Sequence, residues 1–495
     1  MMIHRRTRLR HAIQPIYSGA LLCALWMAPA AAAVASSDAA LSRFKLENDL
    51  RISESTAKPT EASQSDLQGE GEVPSLMTLV KMAEANDPSY HAAQAGLAAA
   101  REFKTIGRAS MLPVMQASGS SSRNRQDREI QQGSQRLSDR RFYNAFSANL
   151  QLRQPIYAPE ARARFDEAVA LSNEAEVAFV DEFANMVIRV VDAYLQVFMT
   201  ATQLDVLTRS RNDFKDLLDS AERRFEGGES TRLEILDLRA RYQREAVQVK
   251  AAENAHRSAI AMLSSVVGGV DQASFERLQD AGGPLKLSRG SIEGWTNIAR
   301  RSSTQLLAAE SAVAQAEAGL GRAKGATLPR LDALASFGVN DSDSVNTVDQ
   351  RFETGSLGLQ LSVPIFSSGA GRAGVRQAEA YLVQAKAEYD AARLQLDQSV
   401  REAYDQFISV IEQERAMVAV KRSAEASSEA ADRGYKAGVQ AMMDVIAAKS
   451  LEREVALEAL AVRYESARAF VVLHQLAGQV DEELIKTLSS ALSGN

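Results

Sequence analysis

The sequence predicts a mainly α-helical fold with a transmembrane β part, built from a duplicated helix–β-hairpin–long helix–turn–helix unit. Three observations support this prediction. Only 6% of the 495 residues are aromatic and only 11 are proline, which is typical of long helices. Similar short sequences recur about 210 positions apart. In each copy, segments that alternate between apolar and polar residues precede a long stretch without proline.

The N-terminus predicts export from the cytoplasm. Arginines at positions 5, 6, 8 and 10 precede a short apolar stretch and the small residues up to Ala33, so residues 1–33 resemble a secretory signal peptide. A membrane anchor is the alternative, but the apolar run is short for one. The only cysteine, Cys23, lies within this segment, which excludes disulfides and thiolate sites from the mature chain.

Charge and composition exclude some partners. Removal of the signal peptide takes the formal net charge from −6 to −10, which argues against nucleic acid as a partner. Residues 34–74 are polar and rich in Ser and Glu, so we expect a disordered N-terminal extension after the signal peptide.

The duplication rests on several matches in register. QLRQPIY at 151–157 recurs as QLSVPIF at 360–366, and Gly228 is matched by Gly438, 210 positions later. Leu112-Pro113 recurs as Leu328-Pro329 after 216 positions, and Val267-Gly268 is matched by Ala477-Gly478 after 210. The offsets of these four matches agree within a few residues, which indicates one unit written twice. The predicted parts are a first repeat at 75–270, a linker at 271–291, a second repeat at 292–480 and a C-terminal tail at 481–495.

Each repeat is predicted to begin with one helix of moderate length, at 75–111 and 292–328, and to continue into a hairpin. The hairpins fall at about 114–154 and 330–363. Their strands of about ten residues have one apolar and one polar face, which fits a membrane-spanning barrel. The edge of a soluble sandwich is the alternative, and it suits an isolated pair of hairpins poorly.

A coiled coil then follows in each repeat, at 159–267 and 369–477. Its first helix, at 161–226 or 371–436, spans 66 residues, or roughly 100 Å. Apolar residues three and four apart form a seam along the first of these helices (Phe183, Val187, Val190, Tyr194, Val197, Ala201 and Leu204). A helix of this length cannot bury itself in a globular monomer, so we expect it to pack along equally long partners.

One motif suggests an enzyme. Gly369, Gly371 and Gly374 spell the GxGxxG of a dinucleotide-binding loop. Pro364 lies in the strand this loop would require, and the following helix is too long for a βαβ crossover. We therefore expect no cofactor and assign the glycines to the turn from strand to helix.

No other catalytic pattern is evident. The histidines outside the signal peptide, His91, His256 and His474, are isolated from one another in helical stretches. We find no spacing typical of a metal site or a nucleophile, so the sequence predicts no metal and no enzyme.

The paired segments RRFEGGESTRLEILDLRARY and RGYKAGVQAMMDVIAAKSLE, with the duplicated plan around them, closely resemble the TolC family of outer-membrane efflux and secretion proteins. The resemblance covers about 75–480. It implies a homotrimer in the Gram-negative outer membrane, with a 12-stranded barrel and an α-helical periplasmic tunnel. It also implies contact with outer-membrane lipid and two protein partners, a periplasmic adaptor protein and an inner-membrane ABC or proton-driven pump.

The resemblance further implies a gate where the helix tips converge. Acids of the family's constriction match Asp444 and Glu234, with Asp237 one turn further on, whereas Ala447 replaces a second family acid. The family's latch matches Tyr435 and Glu234, but Gln440 replaces its arginine, so Arg232 is a candidate contributor. Three residues mark the helix-turn tips and the expected adaptor contact: Gly227, Gly228 and Gly438.

A carboxylate ring around a narrow axis would attract cations, whereas any one acid could instead lie on a solvated coiled-coil face. The function implied is an export duct, for type I protein secretion or for small-molecule efflux. The alternative is a secreted or periplasmic fibrous coiled-coil structural protein, which explains the helices but not the alternating hairpins.

Overall fold

The structure, a computed structural model, describes residues 74–133, 135–270, 275, 290–342 and 350–493. The predicted signal peptide lies outside these residues. So do nearly all of the predicted N-terminal extension and most of the predicted linker between the repeats.

Helices make up most of the described residues. Their bounds are α1 Leu76–Asn86, α2 Pro88–Ala109, α3 Pro159–Glu226, α4 Arg232–Val267, α5 Ile292–Ser302, α6 Thr304–Gly325, α7 Ala370–Lys436, α8 Met442–Leu476 and α9 Glu482–Ser493. Helices α3 and α7 have 68 and 67 residues and match the predicted long helices. At 1.5 Å per residue each extends about 100 Å. In the described part of the chain no helix is both long and apolar enough to cross a membrane.

Four strands form one antiparallel sheet in the order β1-β2-β3-β4. Their bounds are β1 Val114–Gln132, β2 Gln135–Tyr157, β3 Arg330–Ser342 and β4 Gln350–Ser362. Both predicted hairpins are present, and the second strand of the first hairpin ends three residues later than expected. The sheet joins the two hairpins through the β2–β3 pairing.

The register places apolar residues of all four strands on one face. Leu150 lies opposite both Ala117 and Phe337, and Ala335 lies opposite Leu357. Large apolar side chains on this face are exposed, Leu357 by 86%. The other face is polar, with serines hydrogen-bonded across strands. The predicted alternation is confirmed, and an apolar surface of this extent indicates contact with lipid or protein outside the chain.

The prediction of one helix at 75–111 and one at 292–328 is wrong. The first segment forms α1 and α2, and the second forms α5 and α6. Asp87 lies between α1 and α2, and its carboxylate accepts two backbone N–H bonds from the first turn of α2, at 2.7 and 3.3 Å. Pro88 starts α2 and lacks the N–H that a continuous helix would need. In the second half Ser303 has extended dihedrals and separates α5 from α6.

The predicted tail at 481–495 is instead largely helical. Helix α9 buries Leu484, Ile485 and Leu488. Residues with this spacing lie on one face of a helix. These side chains belong to the main hydrophobic core, together with residues of α1.

Two hydrophobic cores position the functional region. The main core contains Val187, Val190 and Tyr194 of the predicted seam, as well as Phe407 and Phe470, whose ring centroids are 5.6 Å apart. A second core lies near the helix turns and joins both helix pairs; its buried members are Phe214, Leu217, Leu218, Ala221, Leu238, Ala431, Met442, Val445 and Ile446. We call this second set the tip core. It holds the two turns side by side.

Candidate gate at the helix tips

Both helix pairs reverse direction at the predicted glycines. Gly228 and Gly438 adopt positive φ angles of 77° and 72°, which glycine accepts without strain. Beyond each glycine a backbone N–H returns to a carbonyl of the last helical turn, at 2.8 Å in the first pair and 2.9 Å in the second. This is the Schellman ending of a helix. Gly227, one residue earlier, has an ordinary helical φ of −80°.

A hydrogen bond connects the two tips. The hydroxyl of Tyr435, near the end of α7, donates to Oε1 of Glu234 in the first turn of α4, across 3.1 Å. The hydroxyl of Ser230 donates to Oε2 of the same carboxylate at 2.9 Å. The backbone N–H of Glu234 donates to the Thr231 hydroxyl, which caps α4. Glu234 is therefore held by its own helix start while it binds the other helix pair.

Arg224 makes a contact that the sequence did not predict. Its guanidinium carbon lies 4.8 Å from the centroid of the Tyr435 ring, within the range of a cation–π contact. Burial and the neighbouring Glu234 carboxylate raise the pKa of the Tyr435 hydroxyl, and Arg224 offsets part of this effect. The hydroxyl therefore stays protonated, and able to donate, at neutral pH. The sequence signal for this contact was an arginine in the last turn of α3. A positive charge at that end of a helix also interacts favourably with the helix dipole.

The other predicted latch residues lie outside this hydrogen bond. Gln440 folds back over Gly434, where an added Cβ would come within 2.8 Å of its side-chain oxygen. It is exposed, and it lies in the turn between α7 and α8, where its side chain packs on the end of α7. Arg232 is also exposed, and it forms no ion pair with any residue that the structure describes. The cation beside Tyr435 is Arg224.

The three predicted constriction acids have different surroundings. Asp444 is exposed and accepts a hydrogen bond from the backbone N–H of Ala441 at 3.2 Å, at the start of α8. This is half of a capping box, because Ala441 has no side-chain acceptor to complete it. Asp237 is half-buried and pairs with Arg241 at 3.0 Å. The Glu234 carboxylate accepts hydrogen bonds from Tyr435 and Ser230, so Asp444 offers the most accessible carboxylate of the three.

A buried ionic contact, which the sequence also did not predict, lies behind the tips. Glu245 of α4 is 3% exposed. It receives hydrogen bonds from Arg453 of α8 and, at 3.2 Å, from Ser210 of α3. Nearer the tips, Lys449 of α8 pairs with Asp213 of α3 at 3.2 Å. These contacts hold the second helix pair against the first.

The GxGxxG glycines lie at the junction between β4 and α7. Gly369 precedes α7 with a φ of 84°, consistent with a turn from strand to helix. Gly371 lies close to Thr327, whereas Gly374 has open space around its Cα. Close packing therefore explains why position 371 is a glycine, but it does not explain the glycine at position 374. Among the described residues no group of three or more His, Cys, Asp or Glu side chains is arranged to hold a metal ion.

Comparison with known proteins agrees with this architecture. The chain is 28% identical over 400 residues to the alkaline protease secretion protein AprF of Pseudomonas aeruginosa, covering 80% of this chain and 83% of AprF. It is 25% identical over 432 residues to the proteases secretion protein PrtF of Dickeya chrysanthemi, covering 85% and 92%. The crystal structure of the Campylobacter jejuni CmeC outer membrane channel has the same fold. It superposes with a TM-score of 0.69 at 19% identity, over 90% of this chain and 95% of CmeC.

The model of one protein family matches this chain twice. That family is the outer membrane efflux proteins, and the two matches span residues 79–269 and 295–479. Each match runs from an N-terminal helix, through a hairpin and a long helix, past a glycine turn and close to the end of the returning helix. Since these matches cover most of the chain, the protein belongs to the outer membrane efflux protein family.

Proposed function

We propose that this chain is the outer-membrane channel of a tripartite type I secretion or efflux system. It would be an export duct that receives substrate from an inner-membrane pump and a periplasmic adaptor. One observation carries the proposal: helices about 100 Å long connect an exposed apolar sheet face to two packed helix tips that a hydrogen bond joins. Family membership supports it and gives no support to a fibrous coiled-coil protein.

The duct is a homotrimer in this proposal. In the described chain β1 pairs only with β2, and β4 only with β3, so both outer edges of the sheet are open. Open edges of this length are normally paired or covered. Three copies would join β1 of one to β4 of the next and close a 12-stranded barrel, an even number as such barrels require. The repeated order of helices and strands supports a duplicated unit behind each pair of strands.

The gate lies at the convergent tips. Asp444, Glu234 and Asp237 from three copies would surround the constriction, and the Tyr435–Glu234 bond would hold it closed. The turns at Gly227, Gly228 and Gly438 would meet the adaptor. Opening would separate the helix pairs and break the latch, while the tip core and the Glu245–Arg453 contact limit the movement.

The names of AprF and PrtF support protein secretion as the first activity to test. The test compares secreted proteins in the medium of cells with the intact gene, cells without it, and cells with the gene restored. Purified protein is then added to planar lipid bilayers. We expect a secretion defect that the restored gene reverses, and discrete channel openings from the purified protein. Unchanged secretion and small-molecule export, together with no openings, would refute the duct.

A further inference from the structure

The first hairpin extends beyond the second at the end of the sheet away from the helices. Strands β1 and β2 have 19 and 23 residues, whereas β3 and β4 have 13 each. Among the residues that the structure describes, pairing between β2 and β3 reaches Ala145 and Ser342, whereas β1 and β2 stay paired out to Gln132 and Gln135. We call residues 123–133 and 135–144 the ribbon.

The apolar face of the sheet continues directly into a cluster of arginines on the ribbon. Side chains of directly paired residues share a face, and every second pair lies on the same side. Along the apolar face the pairs run in this order: Met115–Leu152, Ala117–Leu150, Gly119–Ala148, Ser121–Phe146, Arg123–Asn144, Arg125–Phe142 and Asp127–Arg140. The change from apolar to cationic side chains therefore occurs between two successive pairs on this face, Ser121–Phe146 and Arg123–Asn144.

The position of this change matches the edge of a membrane, if the sheet spans the outer membrane as proposed above. From Ile156 to Phe146 the strand rises about 34 Å, or roughly 24 Å along the membrane normal at a tilt of about 45°. The apolar band of outer-membrane barrels is about 25 Å tall. Arg123 and Arg125 lie on the next steps, about 5–10 Å further out, at the depth of lipid headgroups.

The arginines are arranged side by side by one carboxylate. Asp127 Oδ2 accepts from Arg125 Nε at 3.1 Å and Nη2 at 2.7 Å, and Asp127 Oδ1 accepts from Arg140 Nε at 2.7 Å. Each guanidinium has five N–H donors, so most of them remain available. The two side chains are 53% and 62% exposed. Arg123 is also exposed and brings the net charge of the group to +2.

The second hairpin carries a different set of charged side chains on the same face of the sheet, at the same end. Arg351 there pairs with Glu353 at 2.9 Å, and Asp341 lies opposite Arg351 in the ladder. That group has a net charge of −1, so within the described parts of the two hairpins the cationic site lies on the first. It provides a matched control at similar depth.

We propose that Arg123, Arg125 and Arg140 bind phosphate groups of the phosphorylated glycolipid in the outer leaflet of the outer membrane. Planar guanidinium groups bind phosphate oxygens in pairs, and two of them fixed side by side on Asp127 match a phosphate better than flexible lysines would. The apolar band below them would contact the acyl chains of the same lipid. This inference rests on the proposed outer-membrane function.

The test is binding of purified lipid A, with and without its phosphates, to the full chain in detergent, measured by native mass spectrometry. We expect Arg125→Gln/Arg140→Gln to bind bisphosphorylated lipid A at least about tenfold more weakly, since charge-assisted hydrogen bonds are lost. The control Arg351→Gln should bind as the unmodified chain does. Equal affinity in the double variant, or equal binding of dephosphorylated lipid A, would overturn the site.

Bilayer conductance of the same samples separates this inference from the proposed function. A double variant that loses lipid A but keeps its trimer mass and channel openings supports the site. An unmodified chain that forms no channels contradicts the duct instead. If the double variant does not assemble, Arg140→Gln alone replaces it, because the Arg125–Asp127 pair stays intact, and it should weaken binding severalfold; no weakening would overturn the site.

Discussion

The hydroxyl of Tyr435 lies 3.1 Å from Oε1 of Glu234, although the two residues are 201 positions apart in the chain. Tyr435 is at the end of one long helix and Glu234 at the start of a helix in the other pair. A movement that separates the two helix pairs at their tips therefore breaks this bond. In the proposed channel this hydrogen bond would hold the gate closed.

Replacement of Tyr435 by Phe should loosen the closed gate. The substitution keeps the ring beside Arg224 and removes one hydrogen bond, on the order of 1 kcal/mol per chain. We expect higher basal conductance in planar bilayers. Tyr381→Phe is the control, because Tyr381 is an exposed tyrosine elsewhere on α7. Equal basal conductance in the unmodified channel, Tyr435→Phe and Tyr381→Phe would exclude the latch.

The pH profile provides a second control for the same prediction. Burial and then Glu234 raise the pKa of the Tyr435 hydroxyl. Stabilisation from a raised pKa is complete below the ordinary tyrosine pKa, near 10, and is lost as pH rises through the raised value. Basal conductance should therefore increase only on the strongly alkaline side. The Tyr435→Phe channel should lack this increase.

Asp444→Asn should weaken block of the channel by multivalent cations. Asp444 is exposed at the start of α8, and an asparagine can still accept the capping hydrogen bond from Ala441. The substitution removes charge from the proposed ring and leaves the helix start in place. Asp237→Asn should have a smaller effect, because Arg241 already neutralises that carboxylate. Unchanged block in Asp444→Asn would place the constriction elsewhere.

Arginine substitutions should distinguish the two faces of the sheet. Leu150→Arg or Leu359→Arg would place a charge on the apolar face, at a cost of about 2–4 kcal/mol near the middle of the membrane. Gln151→Arg and Gln360→Arg are the neighbouring controls on the polar face. We expect loss of heat-stable assembly only for the first pair. Equal tolerance on both faces would contradict a membrane-spanning sheet.

The buried contact between Glu245 and Arg453 should behave as a coupled pair. Glu245→Leu alone leaves the arginine without its carboxylate, and loss of one partner of a buried ion pair costs about 3 kcal/mol or more. Glu245→Leu/Arg453→Met should recover most of this loss in thermal unfolding. Additive losses would mean that the two side chains do not depend on each other.

Local patterns in the sequence are sufficient to predict most of the fold. The alternation around Leu150 predicts a strand with two different faces, and the spacing of Val187, Val190 and Tyr194 predicts a buried helix seam. Both signals repeat within a few residues, so neighbouring positions reveal them. The break at Asp87-Pro88 had a sequence signal, an N-cap followed by proline, that the single-helix prediction overlooked.

Contacts between distant residues explain what the sequence could not predict. Nothing near Arg453 indicates that Glu245, 208 positions away, is its partner. The stacking of Arg224 on Tyr435 likewise depends on how two helix ends meet. Resemblance to a family pointed to Tyr435 and Glu234. It did not predict that Gln440, which replaces the family's arginine, folds back onto the end of α7.

The most direct test is the mass of the detergent-solubilised protein, measured by light scattering on protein extracted from outer membranes. The sheet has two open edges and an exposed apolar face, so one chain cannot close a barrel alone. The proposal predicts a particle that contains three chains. A monodisperse monomer that retains its full helical content would contradict it.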